Sequence, residues 1–341
     1  MKKSLSALAL AAASVMVLSG CSATAGGTAD SGGEEGLLQV VASTNVYGQL
    51  AASIGGDRVE VTSLIDSAAK DPHSYEATAR DRLAVQKADL VIENGGGYDA
   101  FMQELAEGSD AVVITAAEFS HDYPDAIVDD HADDAHAEDD HDHAEDHGEE
   151  DHAEDEHDDH AGHSHIEGFN EHVWFDVHTI SHVTEQIAAD LSALDPEGEA
   201  DYTAALEELN GELSAIETEL DELHERLEGT TVFITEPLPG LLAAAAGLDD
   251  VAPDGFASAV EEGNDVAPAT LLEALAVIED GTVGAVLTNV QTGGAETDRV
   301  EQAATDAGIP VVAFSELLEA DQTYAEWMRA AISDLAAALD E

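Results

Sequence analysis

Four positions in this chain combine a metal-competent side chain with a place at the end of an expected strand or in the loop beyond it. His73 follows Asp71-Pro72, so a proline fixes the backbone just ahead of the imidazole. His172 stands in the run Glu171-His172-Val173-Trp174-Phe175-Asp176. Glu236 closes an apolar strand and is followed by Pro237, and Glu316 lies just past the run Ile309–Phe314. Open α/β sheets bind their ligands beyond the carboxyl ends of their strands. Imidazole nitrogen suits zinc and other transition ions, while carboxylate oxygen is tolerated by zinc and favoured by manganese. Singly, each residue is ordinary: a loop histidine is more often plain surface, and a carboxylate ending a strand equally well caps the next helix. The set of four carries the reading. Tyr75 and Trp174 stand beside two of them, as cleft-shaping or simply packing aromatics.

A second concentration of ligands lies between them. Residues 121–165 hold eleven histidines: His121, His131, His136, His141, His143, His147, His152, His157, His160, His163 and His165. From His131 onward the spacing of two to five residues lets neighbouring imidazoles and carboxylates meet around one ion without a fold. Ligation needs neutral imidazole, so capture should weaken as pH falls through about 6.5. Such a segment should provide several weak sites, with one tighter site in the cleft. A solvated acidic linker with idle histidines is the alternative.

Longer motifs place the four positions in a familiar order. DPHSYEATARD and EHVWFDVHTI resemble the two histidine motifs of the cluster A-I metal-binding lipoproteins, the ZnuA-like zinc and PsaA-like manganese solute-binding proteins of ABC importers. NVYGQLAASIGGDRVEVTSLI, ADLVIENGGGYDAFM, TEPLPGLLAAAAGL and IPVVAFSELLEADQTYAEWM resemble further segments of that family, so the likeness covers nearly the whole mature chain. It implies two α/β lobes bridged by a rigid helix, with the metal between them. It also implies His73, His172, Glu236 and Glu316 as the ligands and an ABC permease as the partner. Glu236 stands where zinc-type relatives carry histidine and manganese-type relatives carry glutamate. Glu316 stands where aspartate is commoner, and Asp176 is its local substitute if the register slips. The histidine-rich segment points to Zn2+, which we favour. Glu236 keeps Mn2+ as the alternative.

The elements that must position these groups read as alternating strand and helix. Strands are expected at 39–44, 59–65, 89–94 and 111–115, with helices at 46–54, 77–88 and 101–106. Short apolar strands separated by helices imply a parallel sheet covered on both faces. Residues 129–165 contain almost nothing but His, Asp, Glu and Ala and cannot build a core. Asp195-Pro196-Glu197 reads as a helix start with proline at the first helical position. Beyond it, Leu206, Leu209, Leu213, Ile216, Leu220, Leu223 and Leu227 form one apolar face. A helix of about thirty residues spans roughly 45 Å, the width of a lobe. A coiled-coil arm is the competing reading, but strand–helix alternation restarts at 231–235, 283–290 and 309–314. Helices at 268–278, 297–308 and 324–339 accompany it. The fold class is therefore α/β, two parallel-sheet lobes bridged by one long helix.

The amino terminus supplies an address. Lys2 and Lys3 precede an apolar run from Leu5 to Leu18, too short to cross a bilayer comfortably, and Leu18-Ser19-Gly20-Cys21 closes it. Cys21 is the only cysteine, so no internal disulfide forms, and its setting reads as a lipobox whose thiol is acylated. The expected divisions are a leader at 1–20, a lipid-anchored tether at 21–37 and an N-terminal lobe at 38–194 that carries the 121–165 insertion. A linking helix at 195–228 and a C-terminal lobe at 229–341 follow. Seventy-five acidic against ten basic residues give a formal charge of −65, which excludes nucleic acid as a partner. Without HExxH, GxSxG or a glycine-rich phosphate loop, an enzyme is not expected. A monomer outside the cytoplasm, held to the cell membrane through Cys21, is expected. A surface metal buffer or adhesin without a transporter is the other non-enzymatic reading.

Overall fold

The computed structural model describes residues 36–67, 70, 75–124, 166 and 168–340. The amino-terminal half is built on β1 (Leu38–Thr44), β2 (Val59–Ile65), β3 (Leu90–Glu93) and β4 (Val112–Thr115). All pair in parallel, in the order β2-β1-β3-β4. Helices α1 (Asn45–Gly55), α2 (Ala79–Val85) and α3 (Phe101–Ala106) connect them. β1 and β3 are buried on both faces, which explains why they read as continuous apolar runs and not as alternation.

Two helices carry the chain onward. α4 (Val177–Leu194) begins at an Asp176 N-cap, and α5 (Glu199–Leu227) follows after a tight turn. The helix expected from Asp195 in fact starts four residues later. Asp195 is occupied differently: its carboxylate accepts from the Glu197 amide and the Tyr202 hydroxyl and pairs with Arg58. Pro196 therefore lies in the turn and not at the first helical position. The apolar face is as read, with Leu209, Leu213, Ile216, Leu220, Leu223 and Leu227 buried and Leu206 partly so.

The second sheet is β5 (Thr230–Ile234), β6 (Leu248–Asp250), β7 (Ala285–Asn289) and β8 (Val311–Phe314), all parallel in the order β6-β5-β7-β8. Helices α6 (Gly240–Ala245), α7 (Phe256–Glu261), α8 (Pro268–Glu279), α9 (Ala295–Ala307) and α10 (Tyr324–Leu339) surround it. Proline does open α8, and a Thr323–Glu326 capping box opens α10. The two sheets share one strand order, a repeat that no sequence identity betrays.

α5 packs against α1 and α4 on one side and α10 and α6 on the other. One continuous apolar cluster runs from Val40 and Ile92 through Leu213 and Ile216 to Ile234 and Leu287. The bridging helix is thus part of a core common to both lobes. Among the described residues no helix is long and apolar enough to cross a membrane.

Candidate metal centre

The site gathers at the carboxyl ends of β3, β5, β7 and β8, where parallel sheets leave room for a ligand. After β3 the chain turns through Gly95 and Gly96, both at positive φ. A Cβ on Gly96 would stand 2.8 Å from the Phe169 ring and 3.2 Å from Cβ of Glu171, so only glycine lets this turn meet the incoming segment. Asp99 locks the turn, accepting from the amides of Asn94 and Gly95 at 2.7 and 2.8 Å. Burial raises its carboxyl above the usual range. Asn94 takes the Tyr47 hydroxyl proton and donates to the Glu171 carbonyl at 2.9 Å, which ties β3 to the residue before His172.

His172 is 2 % exposed. Its ring meets the edges of Tyr98 and Trp174, with centroids at 5.9 and 5.2 Å. The tautomer follows from Asn170. That amide donates through Nδ2 to the Pro237 carbonyl at 2.9 Å, so Oδ1 is the acceptor turned toward His172. Oδ1 accepts from the His172 amide at 3.0 Å and from Nδ1 at 2.8 Å. Nδ1 therefore carries the proton and Nε2 presents its lone pair, the arrangement second neighbours impose on metal-binding histidines. Nε2 faces Oε1 of Glu261, 3.7 Å away at the end of α7. Donor atoms of Glu171, His172 and Glu261 all lie within 4.8 Å of one another.

The second lobe adds two more buried carboxylates. Glu236, two residues past β5, is 3 % exposed and accepts a short bond from the Thr292 hydroxyl. Glu316, two residues past β8, is wholly buried. Its oxygens accept from Tyr98 Oη and Asn289 Nδ2, each at 2.7 Å. The last residue of β7, Asn289, and Thr292 in the loop after it thus orient the two carboxylates, and Tyr98 of the first lobe reaches one of them. The same tyrosine touches His172, so a single side chain connects imidazole and carboxylate across the lobes.

Glu171 and Glu261 thus gather at His172, while Glu236 and Glu316 are buried just past β5 and β8. Glu171, His172 and Glu261 bring a borderline nitrogen and hard carboxylate oxygens together, a donor chemistry that suits a divalent transition cation.

A family model described as "Zinc-uptake complex component A periplasmic" matches residues 40–338. The chain belongs to this family. It is a family of solute-binding transport components and not of enzymes. The ZnuA-family chain is 26 % identical over 242 residues to the manganese-binding lipoprotein MntA of Halalkalibacterium halodurans, covering 69 % of this chain and 66 % of that one. It is 33 % identical over 116 residues to the metal ABC transporter substrate-binding lipoprotein FimA of Streptococcus parasanguinis, 33 % of this chain and 36 % of the other. These alignments span less than two thirds of the relatives' own length. The periplasmic zinc-binding protein TroA of Treponema pallidum superposes with a TM-score of 0.66 at 18 % identity, over 89 % of this chain and 99 % of that one. It shares the fold of two parallel-sheet lobes.

Of the residues expected at the ZnuA-family site, Glu236 and Glu316 are buried just past β5 and β8, and His172 is buried at the short turn Val173–Phe175 before α4. His73, His131, His136, His141, His143, His147, His152, His157, His160, His163, His165 and Cys21 lie outside the described residues. Asp176 is not available as a substitute ligand. Its carboxylate caps α4, accepting from the His178 amide and the Thr179 hydroxyl. Tyr75 supports the Thr78–Asp81 capping box of α2: its hydroxyl donates to Asp81 at 2.9 Å, its ring packs at a tilt on Phe101, and burial lifts its pKa to about 12. Trp174 is buried against His172 and Tyr98 and does wall the site. Sequence reasoning missed Tyr98, Asn170, Glu261, Asn289 and Thr292. Asn170 alone carried a signal, two residues before a flagged histidine. A cavity of about 570 Å³ between Phe314 and Trp327 shares the Glu316 loop but none of these donors.

Proposed function

We propose that this protein captures a divalent transition metal between its lobes, zinc in the first instance, and hands it to the permease of an ABC importer. His73, His172, Glu236 and Glu316 are the proposed ligands, with Glu261 close enough to join or replace one of them. The carrying observation is His172: its Nδ1 is bonded to the Asn170 acceptor, so its Nε2 lone pair is directed at the Glu261 carboxylate. The proposed location is outside the cytoplasm, with acylated Cys21 as anchor, and the lobes, linking helix and tether as divided above. Histidines in 131–165 are the proposed collecting sites, which is the reason for favouring zinc: imidazole clusters have little use for manganese.

Manganese is the second reading, and a specific observation favours it. The described donors that gather at one point are one imidazole and two carboxylates, an oxygen-rich set. The relatives divide likewise, one named for manganese and a structural neighbour for zinc. Competition titration of the metal-stripped protein with zinc and manganese, read against a chelator of known affinity, decides between them. Zinc should occupy the tight site at lower free concentration. Tighter manganese binding would reverse the assignment, and no tight binding of either would remove the function.

A further inference from the structure

The site above leaves unused a pair of histidines on α4. His178 and His182 are four residues apart, so their rings share one side of the helix. That side is the outer one: Val177, Ile180, Val183 and Ile187 point inward, His178 and Glu185 are exposed, and His182 is partly so. The rings stand perpendicular with centroids 4.8 Å apart, and the two Nε2 atoms face each other at 3.4 Å. Two nitrogens each bonded to a tetrahedral zinc at 2.0–2.1 Å stand about 3.3–3.4 Å apart. The pair is therefore already spaced as adjacent ligands of one ion.

Two neighbours prepare it. Glu185 Oε2 lies 3.6 Å from Nδ1 of His182, which favours the proton on Nδ1 and the lone pair on Nε2. The Asp176 cap holds the first turn of α4, accepting from the His178 amide at 3.1 Å. Without metal, a proton on one Nε2 can bridge the two rings.

We propose that His178 and His182 form a second site for a borderline divalent transition metal such as zinc, on the outer face of α4. Water completes the coordination, and Glu185 acts as a positioning residue. This site is independent of the cleft reading.

Hydrogen exchange of the full mature chain, stripped of metal and titrated with Zn2+ alone, tests it by following peptides that cover 177–194. Zinc at a hundred times the dissociation constant should slow exchange in the first turns of α4 about a hundredfold, where opening breaks the site. His178→Ala and His182→Ala should each abolish that slowing, and His172→Ala should leave it intact. Slowing that survives both α4 substitutions, or that disappears with His172→Ala, overturns the proposal. Anomalous scattering from zinc-soaked crystals of the unsubstituted protein gives a second reading that no folding defect can blur. A peak bonded to both Nε2 atoms is expected, and no peak there overturns the site.

Discussion

Asn170 is the residue whose removal tests the reasoning about the metal centre most sharply, because it does three things with one amide. It accepts from Nδ1 and from the backbone amide of His172 and donates to the Pro237 carbonyl. Asn170→Ala deletes all three bonds. The imidazole is then free to carry its proton on Nε2, and the Pro237 carbonyl next to Glu236 keeps only the Gly240 amide as a donor. Second neighbours of metal-binding histidines are worth about 10- to 100-fold in affinity, which is roughly 1.4–2.7 kcal/mol. Chelator competition at pH 7.5 should show zinc binding weakened within that range. Asn170→Asp keeps an acceptor for both His172 protons, adds negative charge beside the imidazole and sacrifices only the bond to Pro237. It should bind at least tenfold more tightly than the alanine variant. Affinity of Asn170→Ala within twofold of wild type would refute the tautomer argument. Equal weakening of the two variants would show that the Pro237 link matters and the Nδ1 bond does not.

Other contacts of the site and the core carry their own expected outcomes. Tyr98→Phe removes the hydroxyl bonded to Glu316 while keeping the ring against His172, and should weaken metal binding by roughly tenfold in the same assay. An unchanged affinity would place Glu316 outside the site. Glu93, 4 % exposed at the end of β3, has its carboxyl pushed up to about 7 by burial and by the nearby Asp99 charge, against 4.5 when free. Its stabilising contribution is complete below about 4.5 and is lost as pH rises through about 7, a change of roughly 3 kcal/mol. Relative to wild type, metal-free Glu93→Gln should therefore gain about that much stability in urea between pH 4.5 and pH 8, and a constant difference would contradict the argument. Leu213→Ala, a wholly apolar cavity in the α5 face that joins the lobes, should cost about 2–5 kcal/mol. A smaller loss by chemical denaturation would mean that α5 is not integral to the shared core.

What could be read in advance was whatever depends on apolar pattern along the chain. The spacing from Leu209 to Leu227 announced a helix with one buried face, and the doubly buried runs of β1 and β3 announced a covered parallel sheet. Edge elements were harder. β6 is three residues long with two exposed aspartates, so it carries almost no apolar signal, and pairing with β5 makes it a strand. The start of α5 was misplaced because Asp195-Pro196 also suits a turn, and the Tyr202 and Arg58 side chains decide that question from a distance. The strand ends that carry Glu236 and Glu316 were legible, whereas His172 follows no strand and instead opens the short turn Val173–Phe175 before α4. The partners of these side chains were not legible. Tyr98 to Glu316 and Asn170 to Pro237 are contacts between segments 218 and 67 residues apart, which no local spacing encodes. Glu261 looked like one more acid in a chain with seventy-five of them, and only α7 brings it to His172.

The central claim is that a metal ion sits on His172 between the two sheets. Anomalous scattering at the zinc edge from crystals grown with one equivalent of zinc tests it directly. A peak about 2.0–2.1 Å from His172 Nε2, with Glu236 or Glu316 oxygens at similar distance, is the predicted result. A zinc ion bound elsewhere with His172 still facing Glu261 unligated would contradict it.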